Sequence, residues 1–128
     1  MRETHRALGE IEKVFLEIRR IKSMTENTAR IVAALKSIPK GKVSSYRDVA
    51  LAAGIPNGAR QTVRTLHSLS EKLNLPWHRV IRSSGSIALP EYEGRELQIS
   101  LLRSEGVEVS DDGRVDMERF GCYLFPKK

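Results

Sequence analysis

Apolar residues recur along this chain at intervals of three and four, interrupted by short Gly- and Pro-containing stretches. Leu8, Ile11, Phe15, Ile18 and Ile21 share one face of a helix over residues 1–24, with Lys, Arg and Glu on its other faces. Met24 is followed by Thr25, a residue type that caps helix N-termini. Residues 26–37 predict a second amphipathic helix, with Ile31, Leu35 and Ile38 along one side, closed by Pro39-Lys40-Gly41-Lys42. Ser44 and Ser45 precede a short helix from Tyr46 to Ala53. Gly54-Ile55-Pro56-Asn57-Gly58 breaks it, and a further helix runs from about Ala59 to Leu69. Helix, short Gly-containing turn, helix is the helix-turn-helix pattern.

Beyond it the period shortens. Ser83-Ser84-Gly85-Ser86 predicts a turn between strands Arg79–Arg82 and Ile87–Leu89, which makes a small wing. Leu89 to Glu93, with Pro90, reads as an irregular loop. Residues 94–105 predict a helix with Leu97, Leu101 and Leu102 inward and Gly106 just past its end. Val107-Glu108-Val109, the Asp111-Asp112-Gly113 turn and Arg114-Val115 predict a second small hairpin, and residues 116–120 a last helical turn. The expected fold is mainly α with small β hairpins, a winged helix-turn-helix domain over residues 25–128. Residues 1–24 are expected as an N-terminal extension helix packed on that domain; the alternative is that translation begins at Met24.

A length of 128 residues suits one domain with a proper core. No run of 18 apolar residues occurs, so no membrane span is expected. Charge begins at Arg2, where a secretory signal would need an apolar centre. The single cysteine excludes an internal disulfide framework and suits a reducing cytoplasm. The expected location is therefore cytoplasmic, nucleoid-associated in a bacterium or archaeon. Three scattered His and one Cys do not make a zinc site, and the Asp111-Asp112 pair reads as turn chemistry. Neither metal nor cofactor is expected. The net charge of +6 suits a polyanionic partner.

The chemistry centres on Pro76-Trp77-His78-Arg79-Val80. Dealkylation of a base needs a soft, ionisable nucleophile, for which a thiolate serves and an indole does not. Trp77 alone would read as a core residue. Its neighbours change that reading. The string resembles the Pro-Cys-His-Arg-Val signature of the O6-alkylguanine-DNA alkyltransferases, with Trp at the acceptor position as in the alkyltransferase-like proteins. Ile38-Pro39-Lys40-Gly41-Lys42-Val43-Ser44-Ser45-Tyr46 is similar to that family's Ile-Pro-x-Gly-x-Val-x-(Ser/Thr)-Tyr stretch. Ala59-Arg60 matches its Ala-Arg pair, at the family's interval from the acceptor position, and Glu105-Gly106 matches its Glu-Gly. The resemblance covers roughly residues 26–108 and extends to the fold, that of the alkyltransferase C-terminal domain.

The resemblance implies a non-enzymatic sensor that binds O6-alkylguanine in double-stranded DNA, extrudes the base and flags it for nucleotide excision repair, whose proteins are then further partners. It implies no catalytic residue, Trp77, His78 and Glu105 being the remnant of a thiol-activating triad held as a hydrogen-bonded network. Tyr46, Pro76, Trp77, Val80 and Tyr92 would form the lesion pocket, with the carbonyls of Trp77 and Val80 facing the base edge. Arg60 would fill the vacated stack and Tyr46 would crowd the 3′ phosphate, the two base-flipping roles. Lys42, Ser45, Arg47, Gly58, Ala59, Arg60, Gln61, Arg64 and Ser83 would contact DNA, and Gly58, Ala59, Thr62 and Thr65 would let the helix approach the minor groove. Arg79 would hold its loop by bonding carbonyls, and Cys122 would be a packing residue. A monomer away from membranes is expected.

Three departures stand out. Thr62-Val63-Arg64 replaces the family's glycine-containing clearance, so Arg64 must avoid DNA or touch a phosphate. Ser68-Leu69-Ser70-Glu71-Lys72 stands where the family has an Asn-Pro hinge. Pro90-Glu91-Tyr92 occupies the lid, with Tyr92 or Arg95 as the lesion contact. Two other readings remain: a methyltransferase using another acceptor, and a winged-helix transcription regulator. Asn57-Gly58-Ala59-Arg60 lacks the row of long polar residues with which such a regulator reads the major groove.

Overall fold

The computed structural model describes residues 24–89 and 94–122. The extension helix expected before Met24, and Tyr92 with the rest of the lid over 90–93, lie outside the described residues.

Helix α1, Glu26–Lys36, starts where Thr25 Oγ1 accepts from the Thr28 amide at 3.1 Å. Its apolar face, Ile31, Val32 and Leu35, is fully buried. Ser37 closes it, donating from its hydroxyl to the Ala34 carbonyl. Strand β1, Ser44–Ser45, leads directly into α2, Tyr46–Ala52, because Ser45 is both the last strand residue and the helix cap, its Oγ accepting from the Asp48 amide at 3.0 Å. Helix α3, Ala59–Leu73, runs one turn past the expected Leu69 and stops at Asn74, which takes a left-handed φ of 53°. Gly58 sets the α2–α3 angle. A Cβ there would stand 2.7 Å from Ile55 Cγ2 and 3.0 Å from Ala50 Cβ, so a side chain would push the two helices apart.

A 3-10 turn, Trp77–Arg79, leads into β2, Val80–Ile81. β2 pairs in parallel with β1, Ser44 opposite Val80 and Ser45 opposite Ile81. Successive strand residues face opposite sides. Val80 therefore enters one core, with Ile31, Leu35, Ile38, Val49 and Leu75, while Ile81 enters a second, with Val43, Ile87, Leu102, Val107 and Val115. The Trp77–Arg79 turn is thus pinned by a strand shared between both cores. Helix α4, Arg95–Ser104, and the single turn α5, Met117–Phe120, complete the second core.

The fold is mainly helical and winged, as expected, and both small hairpins close, Arg82 N donating to Ser86 O at 3.1 Å and Ser110 N to Arg114 O at 2.9 Å; they also pair with each other, which the sequence did not suggest. Both turns form, with Gly85 N donating to Arg82 O and Gly113 N to Ser110 O. The extended segments then bond each other. Ile87 N donates to Gly113 O at 2.9 Å, Val115 N to Gly85 O at 2.8 Å, and Ser86 bridges Arg114. Gly85 permits this approach: a Cβ on it would lie 2.5 Å from the Val115 carbonyl oxygen. Helix α4 also turns differently from expectation. Leu97 is 56% exposed, and Gln98, one residue on, is buried beside Leu102. The amide of Gln98 finds two carbonyls there, which makes a polar residue tolerable inside.

Candidate nucleic-acid interface

The Pro76–Val80 turn is held by one carboxylate. Glu105, at the C-cap of α4, accepts from His78 Nε2 at 2.8 Å, from Arg79 Nε at 3.0 Å and Nη2 at 2.8 Å, and from the Gly41 amide at 3.3 Å. Arg79 Nη1 donates to the Ile38 carbonyl at 2.8 Å. Arg79 therefore holds its loop chiefly through Glu105, with one carbonyl contact rather than several. The Arg79 hydrogen bonds, helped by His78 and Gly41 against the cost of burial, pull the Glu105 carboxyl down to about 2. Glu105 is then an anion with lone pairs only, so His78 Nε2 carries the proton in that bond. Gln98 braces the other side of the turn, its Nε2 donating to the carbonyls of His78 at 3.1 Å and Val80 at 3.2 Å. Nothing in the sequence singled out Gln98; its only signal was a polar residue at helical spacing from Leu102.

Trp77 stands at the start of this turn, edge-on to the His78 ring with centroids 6.0 Å apart. It lines a cavity of about 610 Å³. Tyr46 and Leu75 lie beside it, Leu89, Gly94, Leu97 and Gln98 form one wall, and α3 forms the other. The α3 wall is Val63, Leu66, His67, Ser70, Glu71 and Asn74, spaced by three and one along a single helix face. Of the expected pocket residues, Tyr46 and Trp77 line this cavity. Pro76 precedes the turn without lining it, and Val80 is fully buried in the first core, its carbonyl already accepting from Gln98. Burial raises the Tyr46 hydroxyl above its ordinary value, and the nearby Arg82 charge opposes that rise. Arg82 was not among the expected site residues.

A second concavity gathers the cationic residues. Arg47 from α2 and Ala59, Arg60, Gln61 and Arg64 from α3 line it together with Asn57 and Gly58 of the intervening turn. The three arginines are exposed, and none takes an ion-pair or hydrogen-bond partner through its side chain among the described residues. Several expected DNA contacts are elsewhere. Ser45 is 1% exposed and spends its hydroxyl on the α2 cap. Gly58 does line the concavity, but it is buried and its smallness is also used for packing against α2. Thr62 and Thr65 face the interior, bonding the Gly58 and Gln61 carbonyls, so they give no clearance in a groove. Lys42 Nζ donates to the Arg119 carbonyl at 3.2 Å, apart from the arginines. Ser83 is exposed on the wing turn, outside this concavity. Arg95, the other lid candidate, donates to the Asp112 carbonyl at 2.9 Å and does not line the cavity. Cys122 lies by Val43, half-buried, its thiol raised by burial.

Residues 26–107 match the sequence model of the 6-O-methylguanine DNA methyltransferase, DNA binding domain. The chain is 41% identical over 99 residues to the DNA base-flipping protein of Vibrio parahaemolyticus, covering 76% of this chain and 96% of that one. It is 38% identical over 87 residues to alkyltransferase-like protein 1 of Schizosaccharomyces pombe, covering 67% and 81%. The crystal structure of that S. pombe protein with damaged DNA containing O6-carboxymethylguanine superimposes with a TM-score of 0.68, at 33% identity over 77% of this chain and 96% of that one. A shared helix-turn-helix, the Trp-bearing turn and these similarities agree: the chain belongs to the 6-O-methylguanine DNA methyltransferase DNA-binding-domain family, among its alkyltransferase-like and DNA base-flipping proteins.

Proposed function

We propose that this protein recognises O6-alkylguanine in duplex DNA by extruding the base into the Trp77 cavity, transfers no alkyl group, and marks the site for nucleotide excision repair. The observation that carries the reading is Trp77 lining the cavity, at the place the resemblance assigns to the acceptor, with His78 and Glu105 paired beside it. Indole offers a flat apolar face and no thiolate, so the pocket can hold a base and cannot dealkylate it. Arg47, Arg60 and Arg64 supply an electropositive face for the backbone, and Arg60, at the start of α3, is the residue that enters the stack. The protein acts as a monomer and needs no cofactor. The test is competition binding with paired duplexes, with and without O6-methylguanine, followed by intact mass of the protein. Tighter binding of the lesion with unchanged mass is expected. Equal binding, or a stoichiometric gain of one alkyl group, refutes the reading.

A further inference from the structure

Tyr46 and Arg82 are neighbours where the two strands end. β1 and β2 run parallel with Ser44 opposite Val80 and Ser45 opposite Ile81, so the next positions in register are Tyr46 and Arg82. There the chains part: Tyr46 opens α2, and Arg82 opens the wing turn. We infer that Arg82 is a positioning residue for base extrusion, its guanidinium binding the phosphodiester that follows the extruded guanine onto the cavity rim beside Tyr46. The inference rests on the lesion-binding reading above.

The two concavities meet at a ridge. Tyr46 lines the Trp77 cavity, and Arg47, the next residue, lines the arginine concavity. On α3 the same division falls between Val63 and Arg64. A duplex held on Arg47, Arg60 and Arg64 therefore delivers a base to Trp77 only by passing it over this ridge. The base turns out about its backbone, so the phosphodiester on its sugar follows it there and exchanges water for aromatic and apolar side chains. An anion moved to such a place needs a cation beside it. Tyr46 supplies none: burial raises its hydroxyl above the ordinary value, so it stays a neutral donor. Arg82 does supply one. It is exposed, and its side chain takes no hydrogen-bond or ion-pair partner among the described residues. Its charge is felt at the Tyr46 hydroxyl, where it opposes the rise from burial. Its backbone is fixed at both ends, the amide on Ser86 O at 3.1 Å and the carbonyl on Gly85 N at 2.8 Å. The strand before it is anchored in both cores, so the Trp77 turn and this cation sit on one continuous support. A guanidinium fork matches two phosphate oxygens. Arg82 lines neither concavity, which separates it from the arginines that meet a duplex before extrusion.

The experiment uses the full chain at one ionic strength and competing duplexes carrying guanine or O6-methylguanine at one position. In each lesion duplex a single linkage is a neutral methylphosphonate: on the 3′ side of the lesion, on its 5′ side, or well away from it. Arg82→Met keeps the methylene stem and removes the charge. It should weaken lesion binding about three- to fivefold, the upper range of a partly exposed ion pair, and undamaged binding less. One of the two flanking methylphosphonates should cost the wild type a similar factor and cost Arg82→Met almost nothing more, because the phosphate and the guanidinium are then one interaction. A merely structural Arg82 would leave that linkage penalty as large in the variant as in the wild type. Equal penalties in the two proteins at both flanking linkages, or equal losses on damaged and undamaged duplex, overturn the inference. Failure of the wild type to separate O6-methylguanine from guanine overturns the lesion reading and this inference with it; retained separation with equal penalties overturns the role of Arg82 alone.

Discussion

Arg79 grips Glu105 with a two-pronged fork, Nε to Oε1 at 3.0 Å and Nη2 to Oε2 at 2.8 Å, and its remaining nitrogen reaches the Ile38 carbonyl. The pair joins three segments distant in sequence: the loop after α1, the Trp77 turn and the end of α4. Its charges are largely buried, Glu105 at 8% and Arg79 at 17% side-chain exposure. Removing one partner from such a pair leaves an uncompensated charge and costs about 3–5 kcal/mol. Arg79→Ala should therefore lower the urea midpoint severely, and the Trp77 fluorescence should report a loosened turn even in the folded fraction. An unchanged midpoint would mean the fork contributes nothing to the fold.

The same carboxylate predicts an acid response. Glu105 is depressed from 4.5 to about 2 in the folded protein. A depressed carboxyl stabilises fully above its unfolded value, and that stability is lost as pH falls through the folded value. The window is thus from about 4.5 down to about 2, and the contribution is about 3 kcal/mol. Glu105→Gln lacks this term while keeping every other carboxylate. The gap in unfolding free energy between wild type and variant should be widest at neutral pH and narrow across that window. A gap independent of pH would exclude the Arg79 and His78 bonds as the source.

Phosphate-binding cations separate from structural ones by their salt dependence. Arg47→Ala and Arg64→Ala should each weaken damaged and undamaged duplex alike and flatten the log–log salt slope by about 0.9 for every phosphate no longer neutralised. Lys42→Ala should leave the slope unchanged, because its ammonium is docked on the Arg119 carbonyl. A flattened slope for Lys42→Ala would put that side chain back at the interface.

Trp77→Cys restores the Pro-Cys-His-Arg-Val string, and His78 with Glu105 already stands behind it. Alkyl transfer is nevertheless expected to be absent or very slow. Truncating Trp77 empties part of the cavity floor, and the His78 ring now sits edge-on to an indole rather than to a thiol. Reacting groups must be placed within a fraction of an ångström, which a shell built around another side chain does not provide. Mass spectrometry after a single turnover decides it: a rapid stoichiometric adduct would mean the acceptor geometry survives intact.

The helices were legible because their signals are local. Thr25 and Ser45 cap as their side chains require, and Ile31, Leu35 and Ile38 bury as their period demands. The two local hairpins were legible from their turns, but the pairing between them was not, because it is not local: Gly85 meets Val115, thirty positions on, and no turn signal encodes that meeting. The site divides the same way. Trp77, His78 and Glu105 came from matched strings, and the structure does place His78 against Glu105. Ser45, Thr62 and Thr65 turn inward, because small and polar residues suit a groove and a helix–helix contact equally well. The cavity wall at Ser70, Glu71 and Asn74 was missed although Leu66, Leu69 and Leu73 continue the helical period past the expected end.

Arg60 carries the most discriminating prediction. It sits exposed in the first turn of α3, grouped with Arg47 and Arg64 but at the end nearest the helix-turn-helix turn. If it fills the space an extruded base leaves, its contribution exists only while the base is out. Arg60→Ala should then weaken lesion binding more than undamaged binding. Stacking of a base on a flat side chain is worth roughly 1–3 kcal/mol. Applied to a guanidinium, that is a loss of about five- to 150-fold on the lesion. A fluorescent base analogue beside the lesion should brighten less with the variant, since less unstacking occurs. Arg60→Lys should recover little, because an ammonium keeps the charge and has no plane to stack. A phosphate contact would behave oppositely: Lys would restore most of the affinity, and damaged and undamaged duplexes would lose equally. Full rescue by Lys would therefore remove Arg60 from the stack and leave base extrusion to Tyr46 alone.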